Sequence, residues 1–170
     1  MTHIKICGVT SVGDALACAD LGASSIGLNF VASSPRRIAP EKAREIAREA
    51  AKLLDEGSPS LLNEGPVFLA LHDACVDLGD LSEARDAILR GIPRLATRVQ
   101  GLSGTPYARD FLTQLAANAG LLAAAEASGL VPKELSAIAG TSTGESSDTI
   151  SPPAETVAAP EDTPSTVRTP

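Results

Sequence analysis

The chain has 170 residues, 44% of them hydrophobic and 2% aromatic, with no tryptophan and a formal net charge of −7 at pH 7. That length suits one domain with attachments, and the core must come from Leu, Ala, Val and Ile, which bury less area per side chain than aromatics. Acidity without a basic stripe excludes a binder that neutralises nucleic-acid phosphates, and no apolar run approaches the roughly 20 residues of a membrane span.

Residues 1–56 alternate strand and helix signals. In His3-Ile-Lys-Ile-Cys7 the apolar period is two, with Ile4 and Ile6 on one face and His3, Lys5 and Cys7 on the other. Ser11-Val-Gly-Asp14 predicts a capping box. The helix it opens has Ala15, Leu16, Ala19 and Leu21 as its inward side, and Gly22 is placed to end it. A second strand is expected over 25–30, with Ile26, Leu28 and Phe30 on one face and Gly27 and Asn29 on the other. The loop over 31–39 leads to Pro40, suited to a first helical position. Ala43, Ile46, Ala47, Ala50, Leu53 and Leu54 then recur at helical spacing. This β-α-β-α order is that of a parallel sheet covered by helices, an α/β arrangement.

Residues 57–65 predict a linker and 66–139 a helical region. Leu69, Ala70, Ala74 and Leu78, then Ala84, Ala87, Ile88 and Leu89, predict two helices in a hairpin turning at Gly79-Asp80. Val67 to Leu71 also fits a third strand, but helical spacing that runs on into Gly79 favours helix. Gly91-Ile92-Pro93 predicts a break or kink, since an interior proline costs about 3 kcal/mol. Another Ala- and Leu-rich helix is expected from Tyr107 to Ala127, stopping at Gly129 with Pro132 beyond. Residues 140–170 are rich in Ser, Thr and Pro, hold almost no large apolar side chains, and are expected to be disordered. Five acids against one base in the last thirty residues supply more than half of the net negative charge.

Cys7, Cys18 and Cys75 are widely spaced and form no CxxC pair, which argues against a disulfide framework or a zinc site and fits a reducing, cytoplasmic compartment. The first residues lack the pattern of a signal peptide. His3 and His72 are isolated. Cys18 and Cys75 read as core thiols. Cys7, closing the first strand beside a glycine, invites a chemical explanation.

That explanation comes from several short motifs in fixed order: Lys5-Ile-Cys-Gly8 followed by Thr10, Asp14-Ala-Leu-Ala17, Gly27-Leu-Asn-Phe30 and Ser34-Pro-Arg36. Over Lys5 to Ala47 they resemble the amino terminus of phosphoribosylanthranilate isomerase, a (β/α)8-barrel family of tryptophan biosynthesis. The resemblance implies a partial (β/α)8 (TIM) barrel of two β-α units. It also implies an aldose–ketose isomerisation, the Amadori rearrangement of N-(5-phosphoribosyl)anthranilate to the aminoketose. In that reaction a general acid protonates the furanose ring oxygen, the ring opens to a Schiff base, and a base removes the proton from the sugar C2 carbon. By resemblance, Cys7 is the catalytic base and Arg36 binds substrate near the anthranilate carboxylate; no cofactor and no metal is implied. The residue types suit those roles. The C-terminal end of a barrel strand is where catalytic side chains sit, and a guanidinium offers a planar fork of donors to a carboxylate. Lys5 shares the face of Cys7. Inside a closed barrel it needs a carboxylate partner, and it reads either as a structural ion pair or as a cation favouring the Cys7 thiolate.

After about residue 55 the family pattern stops. The nearest acids, Asp73, Asp77 and Asp80, lie in the helical region outside the family's context, and its glycine-rich phosphate loops are missing. Two β-α units take up about 55 residues, whereas eight need at least about 200. Ala74 to Ile92 resembles the turn and second helix of a tetratricopeptide repeat, and Tyr107 to Leu130 a helix closing such an array; an ordinary helical hairpin gives the same pattern. Three expectations follow. The chain is an incomplete isomerase for a small phosphorylated substrate, inactive alone; or a module that binds a protein partner through its helical region; or a fusion of gene fragments without a joint function. Neither nucleic acid nor a membrane is an expected partner.

Overall fold

Ile6 lies opposite Ile26 in a parallel pair formed by β1 (Lys5–Cys7) and β2 (Ser25–Gly27). Between them runs α1 (Val12–Asp20), and after them come α2 (Pro40–Asp55), α3 (Gly65–Asp77), α4 (Leu81–Gln100), α5 (Tyr107–Thr113), α6 (Ala116–Ala127) and α7 (Lys133–Gly140). The computed structural model describes residues 2–57 and 63–140. Part of the expected linker (58–62) and the expected disordered tail from 141 onward lie outside the described residues. The described chain is mostly helical, with one small parallel sheet.

Local signals position most element ends. The Ser11 hydroxyl accepts from the backbone N–H of Asp14 at 3.1 Å, the N-cap half of the expected capping box, and donates to the Asp14 carboxylate at 2.8 Å. Gly79 takes a positive φ of 75° where α3 turns into α4. There the Gly79 and Asp80 N–H groups return to the carbonyls of Val76 and Cys75, a Schellman closure only glycine permits without strain. Asp80 then caps α4 through the Glu83 N–H at 3.1 Å. Residues 67–71 belong to α3, so the helical spacing prevails over the strand alternative.

Three expectations need correction. The second strand ends at Gly27 rather than running to Phe30. The Gly27 carbonyl takes the N–H groups of both Gly8 and Val9, and the Asn29 carbonyl leaves the sheet to accept from Ile38 at 2.8 Å. Phe30 is 55% exposed and Leu21, after the first helix, 86%; of the expected inward side of α1 Ala15 faces the core, joined by Val12 and Cys18, while Leu16 and Ala19 are exposed. Secondly, of the break or kink expected at Gly91-Ile92-Pro93 the break does not occur, and α4 continues through Pro93. Pro93 is exposed, while Ile92, Leu95 and Val99 hold the helix to the core on both sides of it. Thirdly, the expected helix over 107–127 divides at Leu115, whose backbone is extended. The division follows from Asn118, fully buried, which donates to the Phe111 carbonyl at 2.8 Å and accepts from Asn63 at 2.6 Å.

Two apolar clusters share α2. On one side Ala43 and Ile46 join Val9, Ile38 and Ala74, with Ile26 and Leu28 of the sheet side packed against them. On the other, Ala47 and Ala51 enter a larger core with Phe68, Leu71, Ile88, Ile92, Leu112 and Leu121. Charges reinforce the second contact. Arg48 grips Glu83 of α4 with two bonds, at 2.7 and 2.6 Å, and Asp55 receives Arg90 at 2.6 Å and Arg94 at 2.9 Å. Arg90 and Arg94 also lie 5.6 and 5.5 Å from the centroid of the Phe68 ring.

Candidate functional site

The parallel register sets Cys7 opposite Gly27 and Lys5 opposite Ser25. A methyl group at position 27 would stand 3.1 Å from the Cys7 sulfur and 3.3 Å from Cε of Lys5. The thiol and the ammonium stem therefore lie side by side over Gly27, on the face expected from their two-residue spacing. With two strands among the described residues, nothing encloses that face. Cys7 and Lys5 are both exposed, and Lys5 has no ion-pair partner among the described residues. The enclosure expected of a closed barrel is thus not seen around Lys5.

Arg36 reaches the same place from the loop after β2. The chain turns at Gly8 with φ 80°, and the Arg36 side chain lies across it. A Cβ on residue 8 would come within 2.9 Å of Cδ and 3.0 Å of Nε. Nη1 donates to the Cys7 carbonyl at 3.3 Å. Cys7 and Arg36, named separately from sequence, are therefore adjacent. Two residues that belong to the sequence motifs but received no role from them, Asn29 and Ser34, hold the loop. The Asn29 side chain donates to the Ser34 hydroxyl at 2.8 Å and accepts from the Val31 N–H at 2.9 Å. The Ser34 oxygen also accepts from the Arg36 N–H at 3.2 Å. The signal was present: Asn and Ser in a loop after a strand are the usual side-chain mimics of backbone turns.

The other ionisable candidates lie elsewhere in the fold. Asp73 pairs with His72 at 2.9 Å, Asp80 caps α4 and lies 3.8 Å from Arg44, and Asp77 is exposed at the end of α3. Cys18 is half-buried in the smaller cluster. Cys75 is buried in the larger one, where burial, and then the neighbouring Glu83 carboxylate, push its thiol up to about 11, so it is inert at neutral pH. Among the described residues no group of His, Cys, Asp and Glu is arranged to hold a metal ion, and no helix is long and apolar enough to cross a membrane. Two surface hollows, of about 820 and 720 Å³, are lined by neither Cys7 nor Arg36. The first lies along the end of α4 by Arg94, Arg98 and Phe111; the second lies between α1 and α2 and reaches Lys5.

A 46-residue segment, 27% of the chain, resembles curated proteins named N-(5′-phosphoribosyl)anthranilate isomerase. It is 52% identical to the one from Prosthecochloris aestuarii, where it covers 21% of that protein, and 52% identical to that of Rubrobacter xylanophilus, where it covers 22%. Against the Chlorobaculum tepidum protein the identity is 56%, again over 21% of its length. The chain thus spans about a fifth of the length of the curated relatives it matches. No family model matches the chain. No solved structure matches it either.

Proposed function

We propose that residues 1–56 are the opening two β-α units of a phosphoribosylanthranilate isomerase barrel, and that 66–139 form a second, helical unit packed onto them. In this reading Cys7 abstracts the C2 proton of a small phosphorylated aminosugar and Arg36 binds its carboxylate. One observation carries it: over 46 residues the chain is 52–56% identical to proteins named for that isomerisation. The adjacency of Cys7 and Arg36 at one end of the sheet supports it. The groups that would protonate the ring oxygen and anchor the phosphate have no counterpart in the sequence. Each such contribution is worth on the order of a hundredfold or more in rate, so the chain alone does not turn over substrate.

The decisive experiment transplants Lys5 to Ala47 into the matching segment of the Chlorobaculum tepidum relative. The chimera is expected to rearrange phosphoribosylanthranilate, and Cys7→Ala within it to cut kcat by at least about a thousandfold. A folded but inactive chimera would falsify the assignment of these residues. The native chain, assayed in parallel, should match background; turnover lost in its own Cys7→Ala variant would instead show that it holds a complete site.

A further inference from the structure

Lys5 is the cation of this site that the isomerase reading leaves without a task. Three observations bear on it. Its Cε and the Cys7 sulfur both lie within 3.3 Å of the place where a side chain on Gly27 would begin. It has no acidic partner among the described residues, a lack it shares with Arg36 at the same site, so neither cation there is neutralised by them. It is also exposed, in a chain whose overall charge is −7. A structural ion pair is therefore not what holds Lys5 beside the thiol. What permits the arrangement is Gly27, whose backbone is not in the left-handed region and so has no other need of glycine.

We propose that Lys5 is a second ligand-facing cation of the Cys7 site, that Gly27 is the positioning residue setting it beside the sulfur, and that the pair selects anionic molecules. This rests on the isomerase reading for the role of Cys7, but it concerns a different residue and a different measurement. An unpaired ammonium on the same sheet face as a reacting sulfur raises the local concentration of anions through an interaction that salt screens. Neutral molecules gain nothing from it. A Cβ at position 27 would stand 3.1 Å from the sulfur and 3.3 Å from Cε, a tight fit that displaces one of these exposed side chains by a few tenths of an ångström.

The test is Cys7 disulfide exchange in the full chain, with Cys18→Ser as background and peptide mapping to assign the labelled sulfur. The Cys7 thiolate attacks the disulfide of the probe, forms a mixed disulfide and releases one aromatic thiolate, which is read by absorbance. The dianionic probe is 5,5′-dithiobis(2-nitrobenzoate) and the neutral one 4,4′-dithiodipyridine. Their rate ratio at low salt is expected to fall about fivefold in Lys5→Gln, the size of one unit-charge contact in water. In about 1 M salt the difference should vanish. Lys133→Gln, the same charge change on α7, should leave the ratio alone. Gly27→Ala, which displaces the pair only slightly, should lower the ratio by less than Lys5→Gln does, and Lys5→Gln added to it should bring the ratio to the Lys5→Gln value. Unchanged helical circular dichroism keeps these variants comparable. A ratio indifferent to Lys5→Gln, or a Lys133→Gln effect of equal size, overturns the proposal. An inactive chimera in the preceding experiment, with the ratio still dependent on Lys5, sinks the isomerase assignment and not this one.

Discussion

Asn118 and Cys75 sit inside the larger core, and the fold treats them oppositely. Asn118 is fully buried with both ends of its amide engaged, by Asn63 and by the Phe111 carbonyl. Its partner Asn63 stands 55 positions away, so nothing in the local run Ala116-Ala-Asn-Ala-Gly120 could reveal the role. Cys75 is held as a neutral thiol by burial first and Glu83 second, at about 11 against an ordinary 9.0. Because the folded value lies above the unfolded one, its contribution is fully present below about pH 9 and is lost as pH rises toward 11. A difference of that size corresponds to on the order of 2–3 kcal/mol across the window. Urea titrations from pH 7.5 to 10.5 should therefore show a steeper alkaline loss in the native chain than in Cys75→Ala, even though the variant starts slightly less stable. Glu83 works at the other end of the scale. The Arg48 guanidinium holds its carboxyl below the usual range, so its support is present above its unfolded value and fades as pH falls through the folded one.

At the scale of elements, two neighbouring residues of α4 should respond in opposite senses. Gly91 is buried against Phe68, and an added Cβ would lie 2.7 Å from its Cβ, 2.9 Å from its Cγ and 3.0 Å from Cδ2 of Leu121. Helix propensity favours Gly91→Ala by about 1 kcal/mol, but overpacking costs about 1–3 kcal/mol. The expected net effect is destabilisation, read as a lower urea midpoint. Pro93 is exposed and its ring deprives the helix of one donor. Pro93→Ala should raise the midpoint by the equivalent of at least about 1 kcal/mol. The same elements show what a sequence can reveal. Ser11 with Asp14, and Gly22, Gly79 and Gly129, were legible because capping depends on residues within one turn. The end of the second strand and the break at Leu115 were not, because distant carbonyls and a buried amide decide them.

The whole molecule is lopsided. Its larger cluster gathers residues of α2 to α7, while the sheet consists of two three-residue strands with an open face. Hydrogen exchange should follow that division. Amides of β1 and β2 are expected to exchange at least about a hundredfold faster than those in the middle of α3 and α4. Equal protection of strands and helices would mean that the sheet is not an open two-stranded pair. The segment resemblance was legible at this scale because the motifs that carry Cys7 and Arg36 are short, contiguous and in fixed order. The second contact surface of α2 was not. The sequence pattern showed a wide apolar stripe at Ala43, Ile46, Ala47, Ala50, Leu53 and Leu54, but not that the stripe would be divided between two clusters.

That division has a practical meaning for anyone preparing the amino-terminal part by itself. A chain cut after Gly57 keeps the side of α2 that lines the sheet but strips Ala47, Ala51 and Leu54 of α3 and α4, and leaves Arg48 and Asp55 without Glu83, Arg90 and Arg94. The product would carry a sticky seam along its longest helix and would come out of the cell clumped. Blunting that seam with polar residues at positions 47, 51 and 54 is the first change to make before judging whether the truncated piece can stand alone.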